Sequence, residues 1–121
     1  MTPEQLDWLA EQAGWVKNES PNCKWQRVFP EKGEAHYFYD GNPYTATGGL
    51  DRLIVDHDGW MIEHGFRYNL CRGPRLIDPN GEWYWSVDMW RVRPAEDWDF
   101  DAATPEAALA EAFFTARGGP Q

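Results

Sequence analysis

The sequence predicts an α+β domain in which an antiparallel β-sheet packs with about three helices, N-terminal, central and C-terminal, in a layered sandwich. Three observations predict it. Thr2-Pro3 and Thr104-Pro105 each open an amphipathic segment, one near either end of the chain. Between them lie aromatic-rich stretches that alternate at the period of a strand, most clearly Trp83 to Val92. The chain has 121 residues, which suits one domain over 1–121 and not two.

The first helix has a full start signal. Thr2 serves as N-cap, Pro3 as first helical residue, and Gln5 completes a capping box. Leu6, Leu9, Ala10 and Ala13 follow on one face, and Gly14 suits the left-handed residue that ends a helix. Residues 15–44 read as mostly extended, with strands at Lys24–Phe29 and His36–Tyr39 and a turn at Asp40-Gly-Asn-Pro43. Leu50, Leu53, Ile54 and His57 are spaced as on a helix. A strand over Arg52–Val55 is the alternative, since Gly48 and Gly49 fall in the first turn.

Trp60-Met-Ile62 and Phe66–Cys71 read as strand material, and Asp78-Pro-Asn-Gly81 as a hairpin turn. Trp83, Trp85, Val87 and Met89 alternate cleanly. The pattern then slips to Trp90 and Val92, which predicts a bulge at Met89-Trp90. Residues 94–103 read as an acidic loop around Trp98. Thr104 caps the last helix, whose buried stripe is Leu109, Ala112, Phe113 and Ala116.

Composition bounds the function. Hydrophobic residues make up 42% and aromatics 16%, so the chain can fill a core and wholesale disorder is disfavoured. Eleven basic residues against 20 acidic ones give −9. Nucleic-acid binding rests on Lys and Arg neutralising phosphates, so direct nucleic-acid binding is disfavoured, and anionic membranes likewise. A surface of this sign suits solubility, or a basic, nucleic-acid-binding protein partner. No apolar run is long enough to span a membrane, and the start of the chain lacks the basic and apolar regions of a signal peptide. Free thiols at Cys23 and Cys71 and a cytoplasmic setting are therefore the expectation, with a single Cys23–Cys71 bridge as the alternative.

The order of motifs resembles the phage ABA-sandwich domain family of small phage and prophage proteins. The matching features are Leu6 to Gly14-Trp15, Tyr44-Thr-Ala-Thr47 leading to Gly59-Trp60, the Trp83 to Val92 strand, and the Thr-Pro, Ala-rich helix from Thr104 to Ala116. The chain departs from the family pattern at Gly48-Gly49. The resemblance implies a layered fold and a phage origin, and it implies no reaction.

Chemical motifs are sparse. His36, His57, His64, Cys23 and Asp58 have no metal-ligand spacing, and no nucleophile elbow or phosphate loop occurs, so no catalytic residue, metal or cofactor is assigned. Asp56 and Asp58 flank His57, a trio able to do acid/base work only if it lines a pocket. Eight Trp exceed what one core needs. The expected function is binding without catalysis: inhibition of a host defence or nucleic-acid-handling protein through Glu96, Asp97, Trp98, Asp99, Asp101 and Trp90. The alternative is a nucleotide-signal binder that stacks a base on Trp83 and Trp85 against Arg91 and Arg93. A phage structural or assembly component is a further alternative. The sequence leaves the oligomeric state open.

Overall fold

A computed structural model describes residues 1–18, 24–39, 41–74 and 83–120. Three helices and six strands follow in the order α1 (Pro3–Gln12), β1 (Val16–Lys17), β2 (Trp25–Phe29), β3 (Glu34–Phe38), α2 (Gly49–Glu63), β4 (Phe66–Pro74), β5 (Trp83–Val92), β6 (Ala95–Ala102) and α3 (Pro105–Ala116). The strands form two antiparallel sheets, β1-β2-β3 and β4-β5-β6. The fold is α+β, with two sheets where the sequence suggested one. The extended segments after α1 close into a small sheet of their own.

Both end helices start as their sequences require. The Thr2 hydroxyl accepts from the Gln5 backbone N–H, and the Gln5 side chain accepts from the Thr2 N–H. Thr104 accepts from the Ala107 N–H above Pro105. Leu9 and Ala10 of the first stripe are buried, and so are Leu109, Ala112 and Phe113 of the last. α3 goes further. Ala108, Ala110 and Phe114 are buried too, so this helix is covered on nearly every side. Helix α3 is the centre of the molecule. It touches α1, α2 and all three strands of the large sheet.

The central segment is a helix, longer than its stripe suggested. Trp60-Met-Ile62 belongs to α2 and is no strand, because Gly59 lies on an exposed helical face and does not end it. The pair Gly48-Gly49 has a steric cause. Gly48 caps α2 with φ of +81°, where a side chain is strained. A Cβ on Gly49 would lie 2.1 Å from the Tyr44 carbonyl oxygen. Gly49→Ala is expected to cost about 1–3 kcal/mol, read as a lower urea midpoint, while Gly59→Ala, in open space, is not expected to destabilise.

Two sequence expectations for the large sheet are corrected. The register from Phe66↔Arg91 to Pro74↔Trp83, and from Val92↔Ala95 to Trp85↔Ala102, is continuous, so no bulge interrupts Met89-Trp90. Trp90 and Val92 simply occupy the opposite face. The acidic loop is strand β6, entered through a two-residue turn with a cis Arg93–Pro94 bond. Its alternation was hidden because Asp has low strand propensity, while pairing with β5 decides the outcome. The Asp78–Gly81 turn lies outside the described residues.

Helix α2 links the layers. Asp56 and Asp58 point about 200° apart around it. Asp58 accepts from Tyr68 of β4, and Asp56 accepts from Arg27 of β2. Helix α2 thus bridges the two sheets. Val87 and Met89 are fully buried on the inner face of the large sheet. No helix among the described residues is long and apolar enough to cross a membrane.

Candidate protein-binding face

The outer face of the large sheet has no cover among the described residues. The register aligns it in rows across β4, β5 and β6: Arg67–Trp90–Asp97, Asn69–Asp88–Asp99 and Cys71–Ser86–Asp101. Asp88, Asp97, Asp99 and Asp101 are all exposed, and Trp90 is half-buried between Arg67 and Asp97. Strand pleating makes this grouping, since alternate residues share a face. The result is an acidic surface with a large aromatic residue toward either end, Trp90 at one and Tyr84 at the other.

Asp88 and Asp99 stand directly opposite one another. A hydrogen bond that the protonated Asp99 carboxyl donates to Asp88, and then the charge of Asp88, hold Asp99 above its ordinary range. A raised acid pKa stabilises the fold below the unfolded carboxyl's range and is lost as pH rises through the folded value. At neutral pH the pair is therefore repulsive. Asp99→Lys is expected to raise the urea midpoint at pH 7, and to lose that advantage in acid, when measured beside wild type.

The six residues expected to meet a partner divide between two faces. Asp97, Asp99, Asp101 and Trp90 share the outer face. Trp98 and Glu96 alternate onto the inner one, so Trp98 is half-buried and does not share a face with the three aspartates. Its ring lies 5.9 Å from Phe66 and 5.6 Å from the Arg91 guanidinium, and Arg91 is ion-paired with Glu96. Outward Trp90, on β5, is the residue that fits an anchor role.

The nucleotide-stacking set is not brought together. Trp85 and Arg91 share the inner face but sit six residues apart, roughly 20 Å along β5. Trp85 stacks under Arg72, Arg93 is exposed in the turn, and the Trp83 side chain lies outside the described residues. A cleft of about 670 Å³ opens beside Leu6, Tyr44 and Ala110, but its charged side chains are Glu106 and Glu111. A second, of about 660 Å³, holds Lys17 and Lys24, and Lys17 is paired with Asp7 at 2.7 Å. Neither cleft is lined by Trp85, Arg91 or Arg93.

Nor do Asp56, His57 and Asp58 form an acid/base trio. His57 is fully buried. Arg117 Nε donates to its Nδ1 at 2.9 Å, so the ring proton sits on Nε2 and faces the Tyr44 hydroxyl at 2.9 Å. That hydroxyl donates to Asp56, which also accepts from Trp15 Nε1 at 2.8 Å and Arg27 at 2.5 Å. Burial, then the charges of Arg117 and Arg27, lower His57 to about 3. Burial first and Asp56 second push the Tyr44 hydroxyl up. A neutral imidazole closed from solvent on all sides holds elements together. The sequence did not reveal this network, because the partners in its hydrogen bonds lie 12 to 60 residues apart.

Among the described residues, no group of three His, Cys, Asp or Glu side chains is placed to hold a metal. His36 is exposed beside Glu34, and His64 stacks on Trp60 at 4.0 Å. Cys71 is an exposed thiol on the outer face, and Cys23 lies outside the described residues. A second open surface exposes apolar and aromatic side chains. Val16, Val28, Tyr37 and Tyr39, all more than half exposed, share the outer side of the small sheet.

No protein-family model matches the chain. No solved structure matches it. Over 44 residues, 36% of the chain, it is 41% identical to the HTH-type transcriptional activator RhaS of Shigella dysenteriae serotype 1 (strain Sd197). That stretch is 15% of the activator's length, so the chain is similar to a small part of it.

Proposed function

We propose that the chain is a small acidic binding protein of phage origin that inhibits a host defence or nucleic-acid-handling protein by occupying its basic surface. The observation that carries this reading is the outer face of the large sheet, where Asp88, Asp97, Asp99 and Asp101 stand exposed beside Trp90. Four carboxylates on one flat face present the negative charge a phosphate-binding surface is built to meet, and they steer the encounter. The net charge of −9 adds to it. The protein acts without catalysis and in the host cytoplasm. The resemblance to the phage ABA-sandwich domain family supports the phage origin. The likeness to a transcriptional activator transfers no activity, since it covers 15% of that protein.

The test is a tagged pull-down from nuclease-treated host lysate, run with wild type and with Asp97→Lys/Asp99→Lys/Asp101→Lys. A basic host protein is expected on the wild type, with its affinity weakened at least about tenfold by the reversal and falling with added salt. A partner held equally by both proteins overturns the assignment of the face.

A further inference from the structure

The acidic face ends on an open strand. β6 is the last strand of its sheet and pairs only with β5 among the described residues. None of the backbone hydrogen bonds formed outside the helices and sheets involves residues 95–102, so the outer N–H and C=O groups of β6 have no protein partner among those described. Proteins protect such edges with short strands, bulges, Pro or charge. β6 has eight residues, Ala-Glu-Asp-Trp-Asp-Phe-Asp-Ala, without Pro, and its register with β5 is unbroken. Charge is its one protection. Asp97, Asp99 and Asp101 line the outer side of the edge, and half-buried Trp98 and Phe100 line the inner side.

We propose that β6 takes an extended segment of a partner protein as a fourth strand, and that this segment alternates basic and apolar residues. The inference rests on the acidic-face reading above and states how that face engages its partner. Each side of an added strand faces different neighbours. Side chains on the outer side lie beside Asp97, Asp99 and Asp101, so Lys or Arg belongs there. Side chains on the inner side lie beside Trp98 and Phe100, where apolar groups extend the buried surface. A second copy of this chain is the wrong guest. Pairing two β6 edges sets Asp against Asp, and like charges directly opposite destabilise a sheet.

The test uses the full chain, isotope-labelled, with two synthetic peptides of identical composition. One alternates Lys and Val, and the other carries its Lys in a single block. The alternating peptide is expected to bind at least about tenfold more tightly and to slow amide exchange at every second residue of β6, on the edge not bonded to β5. Asp97→Lys/Asp99→Lys/Asp101→Lys is expected to abolish both effects. Equal binding of the two peptides without protection of β6 overturns strand addition and leaves charge attraction to the face standing. Binding of neither overturns strand addition and removes the charge attraction on which the face reading depends. Protection of β6 at high concentration without peptide overturns it in favour of a second copy.

Discussion

Replacing Asp56 with Ala is expected to lower the unfolding free energy by about 3–5 kcal/mol. Asp56 is the hub of the interior. Its side chain is 4% exposed, and it accepts from Arg27, from the Trp15 indole and from the Tyr44 hydroxyl. Removing the carboxylate leaves the Arg27 charge without its buried counter-ion and deprives two further donors of their acceptor. The loss reaches three regions at once: Trp15 between α1 and β1, strand β2 and the turn before α2. Asp56→Asn keeps the shape and one acceptor, and is expected to cost less. The check is urea denaturation at pH 7. A loss below about 1 kcal/mol for Asp56→Ala overturns the hub role.

Acid is expected to destabilise the protein through His57. Its ordinary pKa of 6.5 falls to about 3 in the fold, by burial first and then by the charges of Arg117 and Arg27. The unfolded chain therefore takes up a proton below pH 6.5 that the folded chain refuses until about 3. The stability that His57 contributes is complete above 6.5 and is lost as pH falls toward 3. The total is on the order of a few kcal/mol. His57→Gln cannot titrate. It is expected to be less stable than wild type at pH 7 and to show a shallower decline between pH 6.5 and 4, by denaturant titration at each pH. Parallel declines for the two proteins rule out His57 as the source.

What the sequence disclosed was local. A cap, a proline and an apolar stripe lie within a few residues of one another, so α1 and α3 were legible from Thr2 and Thr104 onward. The helix at 49–63 was legible from Leu50, Leu53 and His57, though not its last turn. Strand β6 was not legible, because an alternation of Asp with Trp98 and Phe100 shows its meaning only once β5 is in place beside it. The candidate face was half legible. Its charges were found, but which residues share a side follows from pleating, which a loop reading lacks. The His57 network was invisible for a different reason. Tyr44, Asp56 and Arg117 signal nothing singly, and folding alone assembles them.

The position of α3 carries a consequence for synthesis. The chain emerges from the ribosome N-terminus first, and the helix that fills its centre follows all six strands and both other helices. Until residues 105–117 appear, Val87 and Met89 have no helix to cover them, and His57 lacks Arg117. The nascent chain thus carries the inner face of its large sheet without α3 over the last stretch of synthesis, from the completion of β6 at Ala102 until α3 follows. During that interval the charge of Asp97, Asp99 and Asp101 on β6 and Asp88 on β5 sets like against like between neighbouring chains, which opposes edge-to-edge pairing.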